Sequence, residues 1–197
     1  MFDIVELIKT VGYIGVTAIV FAESGLLIGF FLPGDSLLFT AGLLASQGYL
    51  NIYLLVPLCF AAAVFGDSVG YAFGKKMGPK IFNKKESRWF HPNHLERANA
   101  FFEKYGGKAI ILARFMPVVR TFTPIVAGAG NMTYRKFVFN NVLGGFLWTF
   151  GLTLAGYFLG KSIPDIDRYL LPIIGGIILL SILPVVFHFI KERKKTS

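Results

Sequence analysis

The sequence predicts an all-α polytopic membrane protein built from two inverted-topology repeats, each a re-entrant hairpin plus a transmembrane helix. An extra C-terminal transmembrane helix and a surface amphipathic helix complete it. Three observations carry this prediction. Of the 197 residues, 54% are hydrophobic and only 16% charged, with a mean hydropathy of +0.61, the composition of a membrane domain. Segments 52–74, 137–160 and 169–190 are each long and apolar enough to cross a bilayer, which takes about 20 residues. Two more apolar stretches, 22–50 and 107–136, are broken by Pro, Gly and charged residues, and broken backbone at membrane depth survives only against protein or a water-filled cavity.

In chain order, residues 2–22 are mostly apolar, with Asp3, Glu6 and Lys9 in the first turns. They fit either an interfacial helix or a first span. Acids ahead of the one early cation and no clean small-residue cleavage site argue against a secretory signal.

In the stretch from 22 to 50, Glu23 and Asp35 sit in apolar surroundings, and Pro33-Gly34 marks a turn between two arms. We read it as an acidic re-entrant hairpin. In the next span, Gly66, Gly70 and Gly74 recur every four residues, a face on which another helix can pack closely. Asp67 lies beside that face, either as a helix-packing carboxylate or as an accessory site residue. Cys59 is the single cysteine, so no disulfide framework or cysteine metal cluster is expected.

Residues 75–108 are polar and basic. Leu95, Ala98, Phe102 and Tyr105 repeat at helical spacing, with Asn93 and Gly106 suited to cap the two ends. The pattern predicts an amphipathic helix on the membrane surface. His91 and His94 near its start are too few for a metal site.

The stretch from 107 to 136, GKAIILARFMPVVRTFTPIVAGAGNMTYRK, carries Arg114 and Arg120 in its middle, with Pro117, Pro124, Gly128 and Gly130 around them. One arginine at the centre of a lipid-exposed helix costs roughly 2.5–3.5 kcal/mol on insertion scales. We therefore read a second, basic hairpin lining a polar cavity; the plainer alternative is a kinked span with two structural arginines paired to acids. On a straight helix the two arginines would diverge by roughly 240°, so a break near Pro117 is needed for both to meet one ligand. Trp148, in the span that follows, reads as a lipid-facing or packing residue. Pro172 and Pro184 fit kinks in the last helix, and His188 an interfacial position.

A shift of 86 residues brings Ala41-Gly42 onto Ala127-Gly128, Gly70-Tyr71 onto Gly156-Tyr157 and Gly74-Lys75 onto Gly160-Lys161. It also places Asp35 beside the equivalents of Arg120 and Thr121. The chain is thus one integral membrane domain, 1–197: repeat 1 at about 20–76, the amphipathic connector 77–106, repeat 2 at about 107–162 and the last helix 169–190. The net charge of +9 is concentrated in Lys75–Lys108 and the tail Lys191–Lys195. In a membrane protein this reports orientation, not a nucleic-acid partner. It puts the loop 75–108 and the C-terminus in the cytosol and residues 46–51 and 161–168 outside, so the two hairpins enter from opposite faces.

The pieces ESG, FLPGDSLLF, GDSVGY, the run ARFMPVVR with its downstream AGAGNM, and AGYFLG resemble the bacterial DedA family over nearly the whole chain. The resemblance implies a multi-pass protein of the bacterial inner membrane with two opposed re-entrant hairpins. It implies functional acids at Glu23 and Asp35 and functional arginines at Arg114 and Arg120. It further implies transport of undecaprenyl phosphate back to the cytoplasmic leaflet, or of phosphatidylethanolamine, in support of wall synthesis and membrane homeostasis.

The chemistry of the residues agrees with a phosphate headgroup. Guanidinium stays charged and binds phosphate through paired hydrogen bonds, making Arg114 and Arg120 the expected phosphate-binding residues. Glu23 and Asp35 are the expected counter-charges and proton-coupling groups, because burial and a neighbouring arginine pull a carboxylate's proton affinity in opposite directions. The partners are then a polyprenyl phosphate or phospholipid, protons and membrane lipids. The same residues also fit a small-ion or cation/proton antiporter. An enzyme acting on lipid phosphate needs a nucleophile or general acid, often His. No histidine lies near either hairpin, so the chain reads as a transporter, not an enzyme, with no cofactor.

Overall fold

The computed structural model describes residues 4–26, 32–81, 102, 104–130, 132–163, 172 and 176. Its main helices are α1 (Ile4–Gly25), α2 (Gly34–Ser46), α3 (Ile52–Ile81), α4 (Lys108–Ala113), α5 (Pro117–Ala129) and α6 (Tyr134–Ser162). Most of the expected amphipathic helix, with His91 and His94, lies outside the described residues, as does nearly all of the expected last helix and its tail.

Helices α3 and α6 are long and apolar enough to cross a membrane. Helix α3 begins where its predicted span does and ends beyond it, and α6 extends a few residues past both ends of 137–160. Each keeps large apolar side chains on its outer face: Tyr53, Leu54, Phe65 and Phe73 on α3, and Phe139, Leu147 and Phe158 on α6. Such a band is costly in water and neutral in lipid. Helix α1 is kinked at Gly12, which takes a positive φ of 57°, a conformation cheap only for glycine.

Helix α2 is short, and most of it is buried on every side, as expected of a segment apolar all round. Leu37, Leu38, Leu43 and Leu44 pack with Val16 and Val20 of α1, Leu55 and Cys59 of α3, and Trp148 of α6. The short helices lie across the long helices of the opposite half: α2 runs along α6, and α5 along α3.

Glycine makes these crossings possible. A Cβ at Gly42 would overlap the Thr153 carbonyl, and one at Gly156 the Phe39 carbonyl. The position related to Gly42 by the 86-residue shift behaves alike: a Cβ at Gly128 would overlap the Tyr71 carbonyl. On α3, one at Gly74 would overlap the Ile125 carbonyl. The periodicity seen in Gly66, Gly70 and Gly74 is thus a packing face. Gly66 meets Phe21 and Gly25 of α1, while Gly70 and Gly74 meet Pro124 and Ile125 of α5.

Candidate functional site

The chain between α4 and α5 is broken at residues 114–116. Met116 is extended (φ −113°, ψ 105°), and Pro117 opens α5. Proline suits a first helical position because it has no N–H to leave unpaired. Pro124 cannot donate to the Arg120 carbonyl one turn back, so the ladder is weakened beside the second arginine too. This break turns two arginines six residues apart toward a common neighbour. The Arg114 guanidinium lies 5.6 Å and that of Arg120 4.8 Å from the centre of the Trp148 ring, both within cation–π range.

Each arginine has acidic company. Arg120 Nη2 pairs with Glu23 Oε1, and its Nη1 donates to Asp35 Oδ1 at 2.6 Å. Glu23, at the end of α1, is 1% exposed. Its carboxylate lies against the start of α2, where any Cβ on Gly34 would collide with it; this is why Pro33-Gly34 precedes Asp35. Arg114 Nη2 pairs with Asp67 Oδ2 of α3 and donates to Asn141 Oδ1 at 2.6 Å. Asn141 in turn donates to the Val64 carbonyl at 3.1 Å. The expected counter-charges Glu23 and Asp35 therefore both serve Arg120, and it is Asp67 that answers Arg114.

The structure decides between the two readings of Trp148, for packing and against lipid. It is 3% exposed, and its indole N–H donates to Asp35 Oδ1 at 2.7 Å. It faces the ion cluster and not lipid, because α6 turns one face inward: Asn141, Gly144, Gly145 and Trp148 share it. With no side chains on Gly144 and Gly145, Arg114 lies along the α6 backbone between Asn141 and Trp148. The signal that could have found this was in the sequence: a polar Asn141, a Gly-Gly pair and an indole at i, i+3/i+4 and i+7 of an apolar helix.

Ser24, Asp67, Arg114, Arg120, Thr123, Pro124 and Trp148, with Ile110, line a cavity of about 10 Å³, room for about one water. The ion cluster beside it holds three carboxylates, Glu23, Asp35 and Asp67, against two guanidiniums, one formal negative charge in excess. The geometry is that of a site too small for a headgroup, its arginines occupied by internal anions. A tetrahedral oxyanion can enter only by displacing those carboxylates, and the guanidiniums then have planar donor edges to offer it.

A family described as the VTT domain matches residues 32–158, a stretch that holds Asp35, Asp67, Arg114, Arg120, Asn141 and Trp148. Protein DedA of Escherichia coli strain K12 is 48% identical over 181 residues, covering 91% of this chain and 82% of that protein. An uncharacterized membrane protein of Mycobacterium leprae is 44% identical, covering 91% of this chain and 81% of its own length. The inner membrane protein YqjA of Escherichia coli strain K12 is 35% identical, covering 89% and 79%. No solved structure matches.

Proposed function

The chain belongs to the DedA family of VTT-domain membrane proteins, and from that premise we propose that it is a proton-linked flippase for a lipid phosphate, with undecaprenyl phosphate as the favoured substrate. One observation carries the reading: Arg114 and Arg120 come from either side of a helix break to one small cavity, each held by a carboxylate that an incoming phosphate can replace. In this reading the segments 22–50 and 107–136 are re-entrant hairpins entering from opposite faces. The crossed packing of α2 on α6 and α5 on α3 supports it, since broken elements of inverted repeats commonly meet near the midplane. The headgroup passes through the cavity while the tail stays in lipid. Carboxylates released from the arginines take up a proton, which links lipid movement to the proton gradient.

An antiporter for a small cation is the second reading. It draws on the excess negative charge of the cluster, and in it the arginines are only counter-ions. The test is transport of undecaprenyl phosphate across proteoliposome membranes by wild type and by Arg114→Lys and Arg120→Lys. Both variants should lose most transport at normal protein level, because lysine cannot reproduce the planar two-bond grip. Full activity in both would make the arginines generic positive charges and favour the antiporter.

A further inference from the structure

Four buried threonine hydroxyls have no hydrogen-bond partner: Thr17 on α1, Thr40 on α2, and Thr149 and Thr153 on α6. Buried hydroxyls in native proteins are nearly always paired, with protein or with ordered water. Their placement is one-sided. On one side stand Glu23 near the end of α1, Asp35 at the start of α2 and Trp148 midway along α6, all of the ion cluster. On the other side the Asn51 N–H donates to Tyr13 Oη at 2.6 Å, and the Gln47 amide reaches the Gly160 carbonyl at 3.4 Å.

All four unpartnered hydroxyls fall between these two groups. Thr17 lies between Tyr13 and Glu23, Thr40 between Asp35 and Ser46, and Thr149 and Thr153 between Trp148 and Gly160. The contact of Gly42 with the Thr153 carbonyl puts Thr40 and Thr153 at similar heights in the α2–α6 seam. Among the described residues, no unpartnered buried hydroxyl lies on the Arg114 side of the cluster. Asp35 to Ser46 is 11 residues of helix, about 16 Å, and Thr40 and Thr153 each stand about 8 Å along it from the cluster.

We propose that these hydroxyls line a thread of bound water that carries protons between the Glu23–Asp35 pair and the surface at residues 46–51. The proposal rests on the proton-linked reading above and adds its route and direction, since the Lys/Arg distribution puts that surface outside. Each water accepts a proton from the outer side and passes one inward. One proton enters from bulk hydronium and one ends on a carboxylate oxygen, with no other reactant. The carboxylates served face Arg120 from α5 and Trp148 from α6, with Arg114 and Asp67 beyond the cavity.

The test replaces Thr40, Thr149 and Thr153 by Val, which keeps the shape and deletes the hydroxyl, and by Ser, which keeps the hydroxyl. Proton uptake on adding undecaprenyl phosphate is followed with a pH dye in proteoliposomes. Each Thr→Val variant should slow uptake about tenfold and each Thr→Ser variant should preserve it. The preference for undecaprenyl phosphate over undecaprenol in detergent should not change. A thread of bound water also predicts that Thr→Val lowers the Tm, by stripping waters of a partner, whereas a dry seam predicts a rise as an unpaired polar atom disappears. Wild-type uptake in the Val variants, or a raised Tm, overturns the proposal. A wild type that prefers the phosphate but takes up no protons overturns the thread and leaves lipid-phosphate binding standing, whereas equal binding of phosphate and alcohol defeats the lipid-phosphate reading itself. If a Val variant fails to fold, hydroxyl-radical footprinting of the wild type decides: residues 34–46 and 145–156 should be oxidised despite their burial, and a silent seam counts against the thread.

Discussion

If Arg114 and Arg120 hold a phosphate, the purified protein must bind undecaprenyl phosphate and bind undecaprenol poorly. The two lipids share their whole tail, so apolar burial cancels in the comparison. What remains is the exchange at the guanidiniums. Hydrogen bonds to charged groups are worth roughly 1.5–3 kcal/mol each, so one such contact per arginine favours the phosphate by about 3–6 kcal/mol before costs. The cost is visible in the structure: Arg120 must leave Glu23 and Asp35, and Arg114 must leave Asp67 and Asn141. If half the gain survives, the preference is still roughly tenfold or more, at about 1.4 kcal/mol per decade. The perturbation needs care, because removing one partner of a buried pair costs about 3–5 kcal/mol, and Glu23 is 1% exposed. Arg120→Ala is therefore paired with Glu23→Gln, and Arg114→Ala with Asp67→Asn, so that no fully buried carboxylate is stranded opposite a missing guanidinium; Asp35 is partly exposed and keeps its bond from the Trp148 indole. Each double variant should lose most of the phosphate preference and bind undecaprenol as the wild type does. The assay is competitive binding of the two lipids in detergent. Equal binding of alcohol and phosphate by the wild type refutes the reasoning and leaves the antiporter as the better account.

Three further outcomes are expected. Single cysteines in a Cys59→Ala background should place position 48 outside and position 85 inside, as the Lys/Arg asymmetry requires; external labelling of 85 but not 48 in intact cells would reverse the orientation. Glu23→Gln and Asp35→Asn should each impair transport and flatten its pH dependence, since each removes a titratable partner of Arg120, and an unchanged pH profile in both takes them out of the proton path. Trp148→Phe retains a ring under both guanidiniums and should keep phosphate selectivity within about threefold, whereas Trp148→Leu should lose about tenfold, the scale of a desolvated cation–π contact of about 1–2 kcal/mol; equal selectivity in the two variants would reduce Trp148 to packing.

Much of this protein was legible in the chain itself. Hydropathy is a sum over local residues, so the spans that became α3 and α6 could be read without knowing their neighbours. Charges in apolar surroundings are costly wherever they sit, which singled out Glu23, Asp35, Arg114 and Arg120 before any fold was known. The Gly66, Gly70, Gly74 period announced a close crossing, and the helix break was written in Pro117. Pairing was not legible, because partners lie far apart in sequence and a carboxylate carries no local mark of the guanidinium it will meet. Only the packing of α3 against α5 and α6 gave Asp67 to Arg114, and only the burial of Glu23 against the start of α2 left Arg120 with two acids. Trp148 shows the same limit most plainly. An indole on an apolar helix suits lipid and core equally, and what decided between them was the rotation of α6 that turned its Asn141–Trp148 face onto the two arginines.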